Sequence, residues 1–282
     1  GRGAVWVLFL NADNTLDNYQ KISDTVGGFP DSLNDNDRFG ASIAAPGDLD
    51  GDEVPDLVVG SIFAGNSAWV LLLYPNGRVK SYQRISENAG GFAGTLDSDD
   101  RFGQSLAAPG DIDGDGTEDL VVGAKHDDDG GTDRGAVWVL FLNADNTVDS
   151  YQKISDTEGD FSGELDDNDG FGNAIAAPGD LDGDGVPDLV VGAREDDDGG
   201  RNHGAVWVLL LRRDGRVKGY QKISETHGGF AGELGEFDWF AESVAGPGDL
   251  DGDGNSDLLV GAPRDGGGAV WSLFLDVDNT VK

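Results

Sequence analysis

Residues 178–193 read PGDLDGDGVPDLVVGA, with four aspartates inside nine positions followed at once by an apolar run. Close copies of this stretch begin at Pro46, Pro109 and Pro247. Asp and Gly favour tight turns, and a short run rich in Val and Leu favours a strand. Each copy therefore predicts an acidic turn that leads into a strand, and four copies indicate a repeat protein.

A second apolar segment recurs in the same frame. It reads GAVWVLFL at 3–10 and returns four times, so that its tryptophans are Trp6, Trp69, Trp138, Trp207 and Trp271. Each of the first four tryptophans lies 54 positions before the glycine that closes the next LVVG-type segment. All variation in length falls between that glycine and the following tryptophan. A constant frame with one variable loop is typical of a scaffold that tolerates surface insertions.

Each unit contains four strand-like segments. They are FGxS(I/L)AA as at 39–45, DLVVG as at 188–192, the tryptophan run, and YQKIS as at 151–155. The tryptophan run is apolar on both alternating faces, whereas YQKIS alternates polar and apolar residues like an outer strand. We predict an all-β fold, a β-propeller of four-stranded antiparallel blades with about four to five blade equivalents in this chain. An array of Ig-like sandwiches is the alternative.

The acidic turns predict metal sites. Carboxylates at positions 1, 3, 5 and 9 of each turn can surround one hard cation, and oxygen-only ligands in a flexible loop favour Ca²⁺. The candidate ligands of about four Ca²⁺ ions are Asp48, Asp50, Asp52, Asp56, Asp111, Asp113, Asp115, Asp119, Asp180, Asp182, Asp184, Asp188, Asp249, Asp251, Asp253 and Asp257. The first three ligand positions of each turn match the start of an EF-hand loop, but no glutamate stands at position 12 and no helices are predicted on either side of the turn. A plain acidic hairpin turn is the competing interpretation.

The combination FG…AAPGDLDGDGVPDLVVGA resembles the FG-GAP repeat of integrin α-subunit heads and of many secreted bacterial proteins, over essentially the whole chain. The resemblance implies a Ca²⁺-stabilised propeller with a recognition role outside the cell or at its surface. Two residues depart from the pattern. Glu53 replaces a turn glycine where a positive φ is expected, which predicts a weaker first site, and Ala241 replaces the glycine of Phe-Gly.

We predict one domain over residues 1–282, with partial units at 1–38 and 240–282 and full repeats at 39–101, 102–170 and 171–239. The first and last units each lack part of the pattern. Strand 17–23 could complete the C-terminal blade as a clasp, which would leave 3–10 unpaired. Alternatively, the chain forms part of a larger ring closed by a second chain or by further sequence, since integrin-like propellers have seven blades.

Composition excludes several functions. The 282 residues include 54 acidic and 19 basic ones, for a net charge of −35, and no cysteine. Phosphate contacts need positive charge, so a nucleic-acid partner is not expected. The sequence contains no run of about 18 apolar residues, so membrane insertion is not expected. The absence of an initiator methionine and of a signal peptide suggests a processed chain.

We expect no enzyme activity, because the three histidines fall at non-equivalent positions and no G-x-S-x-G motif occurs. The partner predicted instead is a protein or glycan bound on the face opposite the Ca²⁺ loops. That face carries the loops 125–135 and 194–204 and the LNDNDRFG-type loops at 33–40, 96–103 and 165–172. The alternatives are a glycan-binding lectin and a self-assembling filament or surface-layer subunit that associates through its terminal strands.

Overall fold

The computed structural model describes residues 1–63 and 66–282, which form seventeen β-strands and no helix. The described residues accordingly offer no helical segment of the length and apolarity that crossing a bilayer requires. The strands form five antiparallel sheets. The N-terminal sheet contains β1 (Val5–Leu10) and β2 (Leu16–Ile22). The first complete sheet contains β3 (Ile43–Gly47), β4 (Asp56–Ser61), β5 (Ser67–Leu73) and β6 (Val79–Ile85).

The remaining sheets repeat this order. The second complete sheet contains β7 (Phe102–Gly110), β8 (Asp119–Ala124), β9 (Ala136–Leu142) and β10 (Val148–Ile154). The third contains β11 (Ala174–Gly179), β12 (Asp188–Ala193), β13 (Ala205–Leu211) and β14 (Val217–Ile223). The C-terminal sheet contains β15 (Ser243–Gly248), β16 (Asp257–Ala262) and β17 (Ala269–Leu273).

The sheets are blades of a β-propeller. Within each complete sheet the strands follow chain order, and the first strands β3, β7, β11 and β15 contact one another in sequence. The predicted fold class and the four strands per unit are confirmed. The core lies between successive sheets: Val137 and Phe141 on β9 share one buried cluster with Trp207 on β13.

A repeated backbone bond links successive blades. The amide of the valine that begins β6, β10 or β14, or of the equivalent Val281, donates to a glycine carbonyl in the turn after the preceding outer strand. The bonds are Val79 to Gly27, Val148 to Gly90, Val217 to Gly159 and Val281 to Gly228, at 2.8, 2.8, 2.9 and 2.8 Å. Because every blade makes this bond, the relative position of neighbouring blades is fixed along the whole arc.

The first strand of each unit begins later than predicted in three of the four copies. β7 starts at Phe102 with a bulge before Ser105, whereas β3 begins only at Ile43. The strand then continues through Pro46 to Gly47, with a register shift between Ala44 and Gly47. Proline has no amide to donate to the ladder, which accounts for a bulge at that point.

The N-terminal strands do not complete the C-terminal blade. In the described part of the chain β2 pairs with β1, and β17 pairs with β16 alone. β1 and β2 occupy the outer positions of a blade that precedes the first complete one. The amide of Phe39 donates to the carbonyl of Arg2 at 2.9 Å, as Phe171 donates to Arg134. The clasp by residues 17–23 is therefore not the arrangement of this structure.

Candidate metal centres and the opposite face

Each acidic turn is organised by the carboxylate at its first position. In the third turn, Asp180 accepts hydrogen bonds from the amides of Gly183, Asp184 and Gly185 at 2.7, 3.2 and 2.8 Å. Gly183 and Gly185 have φ of 77° and 85°, a conformation that glycine adopts at no steric cost. The other three turns repeat these bonds. The chain therefore folds the loop around one carboxylate and leaves the others to face inward.

The structure brings three carboxylates together in every loop. One oxygen of each member lies within 4.8 Å of the others. The clusters are Asp48, Asp50 and Asp56; Asp111, Asp113 and Asp115; Asp180, Asp182 and Asp188; and Asp249, Asp251 and Asp257. Three loops thus join positions 1, 3 and 9, whereas the second loop joins positions 1, 3 and 5. The four-carboxylate set predicted for each loop remains a prediction.

The ninth position has a second role, which sequence reasoning missed. Asp188 is fully buried and accepts hydrogen bonds from the amides of Leu181 at 2.7 Å and Leu211 at 2.8 Å. The first bond closes the acidic turn, and the second ties it to the end of the tryptophan strand. Asp56, Asp119 and Asp257 make the same pair of bonds. These carboxylates couple the loops to the sheet.

Burial makes Asp119 and Asp188 hard to ionise without a nearby cation. It raises the pKa of Asp119 to about 7, against the lowering effect of two backbone hydrogen bonds, and the neighbouring Asp113 and Asp111 raise it further. Burial raises the pKa of Asp188 to about 6 in the same way. A divalent cation bound in the loop would supply the missing positive charge. An oxygen-only donor set with clustered, partly buried carboxylates fits a hard cation such as Ca²⁺.

Lysines contact three of the four loops. Lys80 Nζ lies 2.6 Å from Asp50 Oδ2 and 2.7 Å from Asp52 Oδ2. Lys218 and Lys282 contact positions 3 and 5 of the third and fourth loops in the same way. Lys80 and Lys218 are the second residues of their outer strands, Lys282 has the equivalent position in the repeat, and Asp149 takes this position beside the second loop. The Val-Lys pair that recurs at 79–80, 217–218 and 281–282 is the sequence pattern from which these lysine contacts could have been predicted.

Both departures from the repeat pattern adopt the glycine conformation. Glu53 has φ of 68°, and its amide still donates to Asp48 Oδ2 at 2.7 Å. The predicted positive φ is therefore present, while the weaker affinity of this loop remains a prediction. Ala241 has φ of 70° and is fully buried next to Gly192, so the methyl group is accommodated.

The loops at the other ends of the strands form the opposite face. On that face, the turn that follows the second strand of a blade contacts the loop that leads into the first strand of the same blade. The amide of His126 donates to the carbonyl of Asp100 at 3.1 Å, and Glu195 donates to Asp169 at 3.3 Å. We call this surface, built from the 2–3 and 4–1 loops, the variable face, because its loops carry the length differences between units.

Many acids of the variable face are paired internally. Lys153 lies 2.8 Å from Asp127 and 2.7 Å from Asp129. Lys222 contacts the equivalent pair, Asp196 and Asp198, at 2.7 and 2.8 Å. The lysine of the YQKIS strand thus fixes the acidic loop above it. These carboxylates hold the loops in place, which the sequence did not indicate.

His227 is part of a small polar cluster with Ser224 and Asp198. His227 Nδ1 lies 2.9 Å from Asp198 and 3.4 Å from the hydroxyl of Ser224. However, Ser224 is buried and donates its proton directly to Asp198, and the same histidine nitrogen faces both partners. Glu158 occupies the position equivalent to His227 in the preceding unit, where Ser155 makes the same bond. This cluster closes a loop.

Comparison with known proteins identifies the repeats. Residues 102–140 match the FG-GAP repeat, and residues 180–260 match the FG-GAP-like repeat. The chain is an FG-GAP repeat β-propeller. It is 31% identical over 251 residues to integrin alpha pat-2 of Caenorhabditis elegans. The aligned region covers 84% of this chain and 19% of that protein. It is also 31% identical over 236 residues to integrin alpha-5 of Xenopus laevis, which covers 81% of this chain and 20% of that protein.

The FG-GAP propeller spans about a fifth of the length of these curated relatives. The predicted resemblance to the integrin α head is confirmed, including the β-propeller architecture. The likeness indicates an adhesion or recognition propeller.

Proposed function

We propose that this FG-GAP propeller is an extracellular or cell-surface Ca²⁺-binding module that recognises a protein ligand on its variable face, and that it is not an enzyme. The Ca²⁺ loops then act as structural elements that stiffen the blades. The relatives named as integrin α-subunits support a recognition role at the cell surface. The clustered carboxylates support metal binding.

One observation carries the choice of face. The loops at the Ca²⁺ end keep the same length and the same hydrogen bonds in all four units, whereas the 2–3 loops differ in length and sequence. A surface that varies on a constant frame is where recognition residues concentrate. Arginines packed on aromatic rings also lie there, with Arg194 4.6 Å and Arg264 3.4 Å from the ring centroid of Trp239.

A protein ligand is favoured over a glycan. Sugar binding uses exposed aromatic rings as stacking surfaces. The tryptophans of the complete blades are buried, with Trp69 and Trp138 each 3% exposed, and they pack against phenylalanines between blades. Trp239 lies between two arginines, which leaves little free ring surface.

The test is a binding assay against a panel of extracellular-matrix proteins in Ca²⁺. Asp99→Lys reverses an exposed charge on the variable face, and Asp214→Lys makes the same change in a turn on the Ca²⁺ face. We expect the first variant to alter binding at least several-fold while the second leaves it unchanged, with equal melting temperatures. Equal effects of both variants, or saturable binding to a glycan array alone, would contradict the choice of ligand and face.

Self-association is a second candidate, favoured by the exposed ends of the arc. Trp6 is 53% exposed, although its equivalent Trp207 is 2% exposed. At the other end, Val270 is 71% exposed, although its equivalent Val137 is fully buried. Between complete blades, the blade surface that carries the valine packs on the surface of the next blade that carries the tryptophan, as Val137 and Trp207 do. Burying them against a second copy removes an apolar cost of about 25 cal/mol per Å².

Sedimentation measurements test this candidate. We expect the chain to form oligomers whose mass falls when Leu8 and Leu10 are both replaced by glutamate. Val277→Glu is the matched control and should change nothing, because this exposed valine lies in a turn whose equivalent residue Ala144 is exposed in an interior blade as well. A monomeric wild-type chain, or an oligomer that persists in the Leu8/Leu10 variant, would refute association through the N-terminal face.

A further inference from the structure

A cationic cavity opens on the variable face, beside the entrances to the first strands. It has a volume of about 600 Å³. Its charged side chains are Arg38, Arg101, Lys125 and Arg194. No carboxylate lines the cavity among the described residues, although acids outnumber basic residues in this chain by 54 to 19. Four cations collected in one cavity of a strongly acidic protein indicate a site for an anion.

Two of these cations have no carboxylate partner among the described residues. The guanidinium groups of Arg38 and Arg101 lie 4.3 and 4.8 Å from the ring centroid of Phe63, so they flank a single aromatic ring. The Nε of Arg101 is buried and makes no hydrogen bond. A buried donor without a partner costs about 1–3 kcal/mol, which a bound acceptor would offset.

The two arginines occupy one repeated backbone position. Arg38 and Arg101 stand directly before the Phe-Gly pair, with φ of 51° and 58°. The third unit has Gly170 at this position, with φ of 67°, and the fourth has Trp239, with φ of 56°. The left-handed conformation therefore belongs to the repeat, and only the side chain placed on it differs between units. Arginine in the first two units supplies a cation that glycine does not supply.

The other two cations are anchored. Lys125 is 1% exposed, and its ammonium lies 3.3 Å from Glu195 Oε2. Arg194 contacts Glu195 at 3.0 Å and also pairs with Glu242. These residues add positive potential at the base of the cavity but have their own partners. Arg38 and Arg101 remain as the free donors.

We propose that this cavity binds a carboxylate group, held by Arg38 and Arg101 and presented by an acidic side chain of the protein ligand. The proposal rests on the function proposed above and names the chemistry recognised at that face. The planar guanidinium matches a carboxylate in two parallel hydrogen bonds. The surrounding acidic loops repel a polyanion, so a single carboxylate is the anion that fits best.

The test follows the Arg Nε–Hε signals by NMR during titration of the Ca²⁺-loaded chain. The probes are succinate and an acetylated, amidated Gly-Asp-Gly peptide, with Gly-Asn-Gly as the neutral control. We expect saturable shifts at Arg101 with both carboxylates and none with the asparagine peptide. Tighter binding of the aspartate peptide supports a protein-borne carboxylate. Tighter binding of succinate contradicts that source, whereas tighter binding of inorganic phosphate contradicts carboxylate recognition itself.

Matched charge variants give the second arm. The double variant Arg38→Gln and Arg101→Gln should bind the carboxylate probe at least tenfold more weakly. Arg78→Gln with Arg216→Gln removes the same charge from turns on the Ca²⁺ face and should leave the affinity unchanged. Equal weakening in both pairs would overturn the site. Because the probes are small molecules, this result does not depend on whether the matrix-protein assay succeeds, so the two proposals fail separately.

Discussion

Lys80 places its ammonium 2.6 Å from the carboxylate of Asp50, inside the first acidic loop. A metal that binds there must compete with this lysine for the same oxygens. The second loop has Asp149 at the corresponding strand position, so no lysine competes for its carboxylates, and Arg213 contacts only the backbone carbonyl of Asp113, at 3.2 Å. The four Ca²⁺ sites should for this reason differ in affinity, with the loop at 111–119 the tightest.

Charge exchange at this strand position tests the ranking. Asp149→Lys should weaken the tightest site roughly fivefold, as expected for one partly exposed ion pair. Lys80→Asp should tighten the first site by a similar factor. Calorimetric titration with Ca²⁺ resolves the classes of sites. An unchanged tightest constant in Asp149→Lys would show that the lysines do not compete.

Asp188 should contribute to stability even without metal, because it ties the loop to the tryptophan strand. Asp188→Ala leaves the amides of Leu181 and Leu211 unpaired, which should cost about 3 kcal/mol of unfolding free energy in EDTA. Asp184→Ala, in the same loop but bonded to Lys218 and the amide of Val186 instead of the tryptophan strand, should cost much less under that condition. Urea denaturation measures both. Equal losses would remove the structural role of the ninth position.

Glu53→Gly should tighten the first loop. The substitution relieves strain at a φ of 68°, worth about 1 kcal/mol, and corresponds to roughly fivefold higher Ca²⁺ affinity. Gly185→Ala in the third loop is the reverse experiment and should weaken that site. If the first site keeps its affinity in Glu53→Gly, the glutamate is accommodated without cost.

The buried carboxyl group of Asp169, which lies away from the metal loops, should make the free energy of unfolding depend on pH. Burial first, and then the charge of Asp196, raise its pKa to about 7, against the lowering effect of Lys222. Between about pH 4 and 7 the folded state therefore holds a proton that the unfolded state releases. The free energy of unfolding should fall as pH rises through this window, and the loss should be complete above pH 7.

Asp169→Asn keeps an oxygen for the amide of Asp166 and removes the buried charge. In saturating Ca²⁺ it should stabilise the fold by about 1–2 kcal/mol at pH 8 and hardly at all at pH 5. Asp214→Asn, on an exposed turn, is the control. A variant that is equally destabilised at both pH values would show that the carboxylate itself is needed.

The fold was predictable because the repeat makes every local signal appear several times. The constant spacing of Trp138 and Trp207 to their following glycines gave the four strands of each blade and the acidic turns between them. The candidate ligands were visible for the same reason. The start of β3 was misplaced because the amide of Phe39 bonds to the carbonyl of Arg2 in the preceding unit, a contact that the local pattern does not show.

Features that join residues from different units were missed. The contact of Lys80 with its loop depends on which face of the outer strand meets the acidic turn. The cationic cavity combines Arg38, Arg101 and Lys125 from separate loops, and no single stretch of sequence contains that pattern. The arrangement of the N-terminal strands likewise depends on tertiary packing, since their sequence suits either end of the arc.

The central claim, that Ca²⁺ bound by the four acidic loops stabilises the propeller, is tested most directly by thermal unfolding with and without chelator. Binding to the folded state alone stabilises it by about 2.7 kcal/mol per site at a hundredfold excess of metal over the dissociation constant. EDTA should therefore lower the melting temperature clearly, and added Ca²⁺ should restore it better than Mg²⁺. An identical melting curve in EDTA, with bound metal measured as zero, would contradict the account.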